Sequence, residues 1–359
     1  MLSRRRLLLT LAALATTPAS RAAFSYPQVV PRSLAFPQDF GAHPDFRTEW
    51  WYLTGWLGDR TRPLGFQLTF FRTRTDVDPA NPSAFAAHQL VIAHAAIADP
   101  AHGSLLLDER IARAGLGLAG AASGDTDVKL SGWYLRRDPQ TDTYHAQIAA
   151  RDFRLSFAAS ASAPPWLQGE GGLSHKGPDA LQASYYYSRP QLKVQAQLTR
   201  GAQVQKLSGT AWLDHEWSSA ALAPDAVGWD WIGMNLDDGS ALVAFQIRRQ
   251  QTGQPPVQTY GAIRDAAGRV QIAPPAEVSF APLRYWNSSR HRTAWPVAQR
   301  ITIGTRIFET RPLMDDQELD SSLTTGAVYW EGASELLEAG QPVGRGYLEM
   351  TGYVAPLKL

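Results

Sequence analysis

Apolar and polar residues alternate along most of this chain with the period of two that marks a half-buried strand. In Gly65-Phe66-Gln67-Leu68-Thr69-Phe70-Phe71-Arg72, Phe66, Leu68 and Phe70 share one face and Gln67, Thr69 and Phe71 the other. The preceding run, Arg47 to Leu57, is its hairpin partner across a turn at Gly58 to Pro63. Further strands are predicted at His88–Asp99, Leu130–Leu135, Thr143–Ala149, Phe153–Phe157, Ala183–Ser188 and Leu192–Thr199, separated by turn residues, and helix signals are few. Residues 23–46, rich in Pro and Phe and without periodicity, read as an extended arm.

The second half repeats the first. Shifted by about 179 residues, Trp50 falls on Trp229, Tyr52 on Trp231, Leu53 on Ile232, Phe66 on Phe245 and Gln67 on Gln246. Near the ends, Gly209-x-Ala211-Trp212-Leu213-Asp214 falls on Gly344-x-Gly346-Tyr347-Leu348-Glu349 at a shift of about 135, so the second copy is shorter by roughly 40 internal residues. The expectation is an all-β protein of two related domains, 23–221 and 222–359. Each is most simply a closed antiparallel barrel, because closure removes exposed edges; a sandwich satisfies the same pattern.

The first residues have a basic start, Ser3-Arg4-Arg5-Arg6, an apolar stretch and a small-x-Ala end at Ala22. This is the pattern of a cleaved export leader, 1–22, with a twin-arginine signature, and it places the mature protein in the periplasm or outside the cell. The formal charge of +1 is misleading, since removing the four leader arginines leaves 30 basic against 33 acidic side chains, about −3. That balance argues against a nucleic-acid partner. There is no cysteine, hence no disulfide, thiolate nucleophile or zinc-thiolate site. No later apolar run is long enough for a membrane helix, so stable membrane insertion is not expected.

Chemistry concentrates in Trp212-Leu213-Asp214-His215-Glu216-Trp217. In a strand, Trp212, Asp214 and Glu216 share one face and Leu213, His215 and Trp217 the other. Asp214, His215, Glu216 and Trp217 are the catalytic candidates, because the His-Glu-Trp extension has no counterpart in the second copy. The alternative is that Asp214 and His215 fix a turn between domains by hydrogen bonds. Glu49, beside Trp51 and Tyr52, is a second candidate: a carboxyl against aromatic walls is desolvated and becomes a proton donor near neutral pH. Tyr185, Tyr186, Trp229, Trp231, Gln246 and Trp330 complete the expected substrate-binding set, each with a structural reading as a barrel residue. His88 and His94 share a strand face without a third ligand, so no metal site is expected, and no serine-hydrolase elbow or His-Glu-x-x-His motif is present.

At Arg47-Thr48-Glu49-Trp50-Trp51-Tyr52, Ala183–Ser188, Ala211–Trp217 and Gly228-Trp229-Asp230-Trp231-Ile232-Gly233, the chain resembles the AttH/CrtC family, which contains carotenoid hydratases and many exported lipocalin-like proteins. The resemblance implies two lipocalin-like barrels in tandem and cofactor-free chemistry on a hydrophobic, isoprenoid- or carotenoid-like small molecule. The carotenoid hydratases use a His-x-Trp pair, matching His215 and Trp217, with a Tyr and an Asp further on; near Phe245 and Gln246 this chain has no such Asp. The implied activity is a hydratase-like lyase or isomerase. The alternatives are a carrier of a lipophilic ligand working with an ABC-type transporter, and a secreted hydrolase.

Overall fold

The computed structural model describes residues 25–220, 222–251 and 253–357, so the leader expected at 1–22 lies outside the described residues. The strands are β1 (Thr48–Leu57), β2 (Leu64–Arg74), β3 (Gln89–Ala98), β4 (Leu105–Arg113), β5 (Ala119–Ala121), β6 (Asp127–Leu130), β7 (Trp133–Asp138), β8 (Thr143–Ala149), β9 (Arg154–Ser160), β10 (Trp166–Leu167), β11 (Leu173–His175), β12 (Ala183–Arg200) and β13 (Gln203–Ser218), which form the first sheet. The second holds β14 (Ala226–Leu236), β15 (Ala241–Arg249), β16 (Gln258–Arg264), β17 (Val270–Ile272), β18 (Val278–Asn287), β19 (Ala294–Ile303), β20 (Arg306–Pro312), β21 (Glu318–Ser321), β22 (Ala327–Glu338) and β23 (Gln341–Met350). All pairings are antiparallel, and the only helical pieces described are two single 3-10 turns.

The strand orders carry the duplication. The first runs β4-β3-β2-β1-β13-β12-β9-β8-β7 and continues to β6 and β5, and the second runs β17-β16-β15-β14-β23-β22-β20-β19-β18. Thus β1 matches β14, β13 matches β23 and β12 matches β22. Each sheet curls around its own filled apolar core: Trp51, Phe66, Trp133, Tyr144 and Phe157 in the first, Trp295, Val297, Phe308 and Trp330 in the second. The first barrel is nearly closed, yet among the described strands β4 and β5 do not pair, so full hydrogen-bonded closure is not reached.

Register corrects the sequence alignment at one point. Trp56 pairs with Gly65 in the first hairpin and its equivalent Asn235 with Ala241 in the second, so the second turn is three residues shorter. Beyond it the true shift is 176, and Phe245 takes the place of Thr69 rather than Phe66. Because strand side chains alternate, an odd offset reverses the face. Phe66 and Leu68 point into the first core, whereas Phe245 and Ile247 point outward to the other barrel. The closing strands keep their expected register, with Tyr52 opposite Asp214 and Trp231 opposite Glu349.

The barrels pack through these outer faces, burying Tyr52, Trp56, Trp212, Trp231, Val243, Phe245 and Tyr347 together. Two bonds show a pseudo-two-fold relation. Trp56 Nε1 donates to Gly346 O (2.9 Å), and at the equivalent positions Asn235 Nδ2 donates to Ala211 O (3.1 Å). Close approach depends on Gly65, where a Cβ would lie 2.5 Å from Ala333 Cβ and 2.8 Å from Tyr347 Oη.

Candidate functional site: a carboxyl-lined cavity between two barrels

Both faces of the last eight residues of β13 are buried, one against the first barrel's arm-covered end and the other against the second barrel. Alternation therefore splits the sequence cluster into two separate networks.

On the inner face, His215 Nε2 is 2.9 Å from Glu49 Oε1 and its Nδ1 is 3.0 Å from Tyr187 Oη. His43 from the arm meets the same Glu49 oxygen at 2.7 Å and Asp39 at 2.9 Å, and stacks on Trp217 with ring centroids 3.7 Å apart. Arg72 Nε donates to Glu49 Oε2 at 2.7 Å. Burial would raise the Glu49 pKa, but hydrogen bonds from His215 and His43 and the Arg72 charge outweigh it and hold this carboxyl well below its usual range. This corrects the expectation of a proton-donating Glu49: the aromatic walls are there, but three nitrogen groups come with them. Burial lowers the His215 pKa against the pull of Glu49. For His43, burial also lowers it, but the bonds to Asp39 and Glu49 prevail and the pKa rises.

His43, Glu49 and His215 offer ligand atoms within 4.8 Å of one another, the one group of at least three such residues among those described that could hold a metal. Each of those atoms is already hydrogen-bonded inside the network, and Arg72 brings a fixed positive charge to the carboxylate. The donor set therefore fits a buried ionic clamp for the arm better than a cation site.

On the outer face lies a cavity of about 370 Å³ between the barrels. Asp214 and Glu216 of β13 enter it from the first barrel, Glu331 and Glu349 from the second, with Trp50, Tyr52, Phe71, Trp229, Trp231 and Phe245 among its walls. Asp214 accepts from Ser188 Oγ (2.5 Å), Tyr186 Oη (2.6 Å) and Trp212 Nε1 (2.6 Å). Burial nonetheless dominates those bonds, and with the nearby Glu216 charge it pushes the Asp214 pKa up to about 7. Glu216 accepts from Ser184 Oγ (2.5 Å) and pairs with Lys176 Nζ (3.0 Å). That ammonium also sits over the rings of Phe245 (4.2 Å) and Tyr186 (4.9 Å). Glu349, bonded by Trp229 Nε1 (2.7 Å), is raised by burial to about 8. Glu331, bonded by Tyr52 Oη (2.8 Å), is raised well above its usual value by burial and by the Glu349 charge.

Of the residues expected from the sequence, Asp214, Glu216, Tyr52, Trp229 and Trp231 line the cavity, whereas the Glu49 carboxylate is turned into the inner network. Tyr186 supports Asp214 from behind. The others lie elsewhere. His215, Trp217 and Trp51 belong to the inner network, Tyr185 donates to Val30 O in the arm, and Trp330 is core of the second barrel. Gln246 donates to Asp230, turned away from the cavity by the three-residue offset. Glu331, Glu349, Lys176 and Phe245 are the additions. Glu349 had a signal in the sequence as the repeat counterpart of Asp214, and Glu331 had one as an acid beside Tyr329 and Trp330.

The sequence model of the AttH-like family matches residues 27–353. The chain belongs to the AttH-like family. An AttH-type protein from Nitrosomonas europaea is 53% identical, with a TM-score of 0.84, and the match covers 92% of this chain and all of that one. Kievitone hydratase from Nectria haematococca is 13% identical with a TM-score of 0.66, over 90% of this chain and 94% of the other. CghA bound to Sch210972 is 12% identical with a TM-score of 0.55, over 88% and 89%. These two distant likenesses concern the fold alone. No curated protein matches in sequence. Both barrels are filled by side chains, and the carboxyl-lined cavity lies between them.

Proposed function

We propose that this AttH-like protein is an exported, cofactor-independent lyase of the hydratase type, adding water to, or removing it from, a carbon–carbon double bond of a hydrophobic, isoprenoid-like molecule. The observation that carries the reading is the pairing of Asp214 and Glu216, two residues apart on one strand face, at the wall of an aromatic cavity. Asp214, half protonated near pH 7, supplies a proton to carbon. Glu216, beside the Lys176 ammonium, orients and deprotonates the attacking water. The indoles of Trp229 and Trp231 form apolar walls that hold the double bond against these two carboxyls. That a hydratase shares the fold is consistent with this reading. His215 and Trp217, on the opposite strand face, act by holding β1 and β13 in place.

The test is to incubate the mature protein with a lipid extract of its host in water labelled with oxygen-18 and follow products by mass spectrometry. Incorporation of one labelled oxygen that Asp214→Asn and Glu216→Gln abolish while His215→Gln retains part of it supports the reading. A lipophile that is bound tightly and recovered unlabelled by every form would support a carrier instead.

A further inference from the structure

The second barrel brings to the cavity a pair of groups that the Asp214–Glu216 reaction does not use. Glu331 on β22 and Glu349 on β23 stand directly opposite each other in the strand pairing. Opposed side chains have Cβ atoms roughly 5 Å apart, and two buried carboxyls at that distance cannot both ionise without a cation between them. Among the described residues neither has a basic partner: Glu331 accepts from Tyr52 and Glu349 from Trp229 Nε1. Three other buried acids do have one, Glu49 with Arg72, Asp230 with Arg248 and Glu318 with Arg290, whereas Asp214 is like this pair in having none among the described residues. Only one oxygen of Glu331 is engaged. Its Oε1 has no hydrogen-bond partner among the described residues, although the residue is only 5% exposed and lines the cavity. In the first barrel the position of Glu331 is taken by Ser188, opposite Asp214, so the acid–acid pair is peculiar to the second copy.

A carboxyl held neutral in an apolar site is a hydrogen-bond donor to oxygen, and such a donor strengthens as negative charge develops on its acceptor. We propose that Glu331, Glu349 and Tyr52 form a carbonyl-binding pocket, so that the substrate is a lipophilic ketone or aldehyde whose reacting double bond is conjugated to the carbonyl. The proposal rests on the hydration reading and names its substrate class. In the forward step the water oxygen bonds to the β-carbon and its proton passes to Glu216. The double-bond electrons move toward the carbonyl oxygen, which takes the carboxyl proton of Glu331. The enol then returns that proton to Glu331 while the α-carbon takes one from Asp214. The product is a β-hydroxy carbonyl compound, and solvent exchange moves the extra proton on Glu216 back to Asp214.

The probe is a straight-chain α,β-unsaturated ketone of about ten carbons labelled with carbon-13 at the carbonyl, bound to the mature protein. Affinity is read by tryptophan quenching against the chain-matched alkene and primary amine, and the carbonyl stretch by infrared spectroscopy. The ketone is expected to bind about tenfold or more tighter than the alkene, with its stretch below the value in water. In Glu331→Met the affinity ratio should fall to near one and the frequency shift should vanish. Should that chain fail to fold, Glu331→Ser, which installs the residue of the first barrel, tests the same point. Equal binding of ketone and alkene, or tightest binding of the amine, overturns the pocket. Oxygen-18 incorporation without any ketone preference overturns the pocket and leaves hydration standing, whereas ketone preference without incorporation does the reverse.

Discussion

Replacing Asp214 by Asn should stabilise the protein while abolishing the proposed hydration. Asp214 is 4% exposed, and burial lifts its pKa from 3.8 to about 7. The unfolded chain ionises this carboxyl near pH 4, but the folded chain holds the proton until about pH 7. Between those values the unfolded state binds fewer protons, so stability falls as pH rises, by about 1.4 kcal/mol per pH unit. The three-unit window amounts to about 4 kcal/mol at pH 8, as an upper figure, and to nothing below pH 4. Asn presents the hydrogen-bonding capacity of the protonated acid: its carbonyl accepts from Trp212 and Ser188, and its amide donates to Tyr186 Oη, which in turn accepts from Trp231 Nε1. Urea denaturation of wild type and Asp214→Asn from pH 4 to 8 should give curves that coincide at the acid end and separate by about 3–4 kcal/mol at pH 8, the variant being more stable. A pH-independent difference, or a variant less stable at pH 8, would refute the reasoning, because it would mean that the folded protein holds Asp214 ionised.

Three further outcomes follow from the same geometry. Glu49→Gln should cost about 3–5 kcal/mol in chemical denaturation, because it leaves the 1%-exposed Arg72 guanidinium without its carboxylate. The clamp on the arm should loosen as pH rises: the His43 pKa is raised on folding, so its contribution is complete below about 6.5 and is lost as pH passes the folded value, seen as faster proteolysis of residues 25–46 in wild type but not in His43→Ala. Trp56→Phe and Asn235→Leu, which remove the two pseudo-symmetric inter-barrel bonds, should each cost about 1–2 kcal/mol by urea denaturation and leave Gly346 and Ala211 carbonyls without these donors.

The sequence alone determined much of this architecture, because strand alternation and an internal repeat are local signals. The β1–β2 hairpin, the two-barrel duplication, the equivalence of Asp214 with Glu349 and the opposite facing of Asp214 and His215 all follow from periods of two and shifts of 179 and 135. What the sequence could not supply was the partner of each face. Pattern reading assigns a face as buried but not what buries it, and so His215 and Trp217 looked as eligible as Asp214 and Glu216. A turn shortened by three residues was also invisible to an ungapped match, and it decided that Phe245 rather than Gln246 reaches the cavity. Tertiary structure set the proton affinities as well. Glu49 and Glu331 both lie beside aromatics in the sequence, yet Arg72, His43 and His215 converge on one, and among the described residues no cation reaches the other. A carboxyl's charge in a buried site depends on those long-range neighbours, separated from Glu49 by as many as 166 positions along the chain.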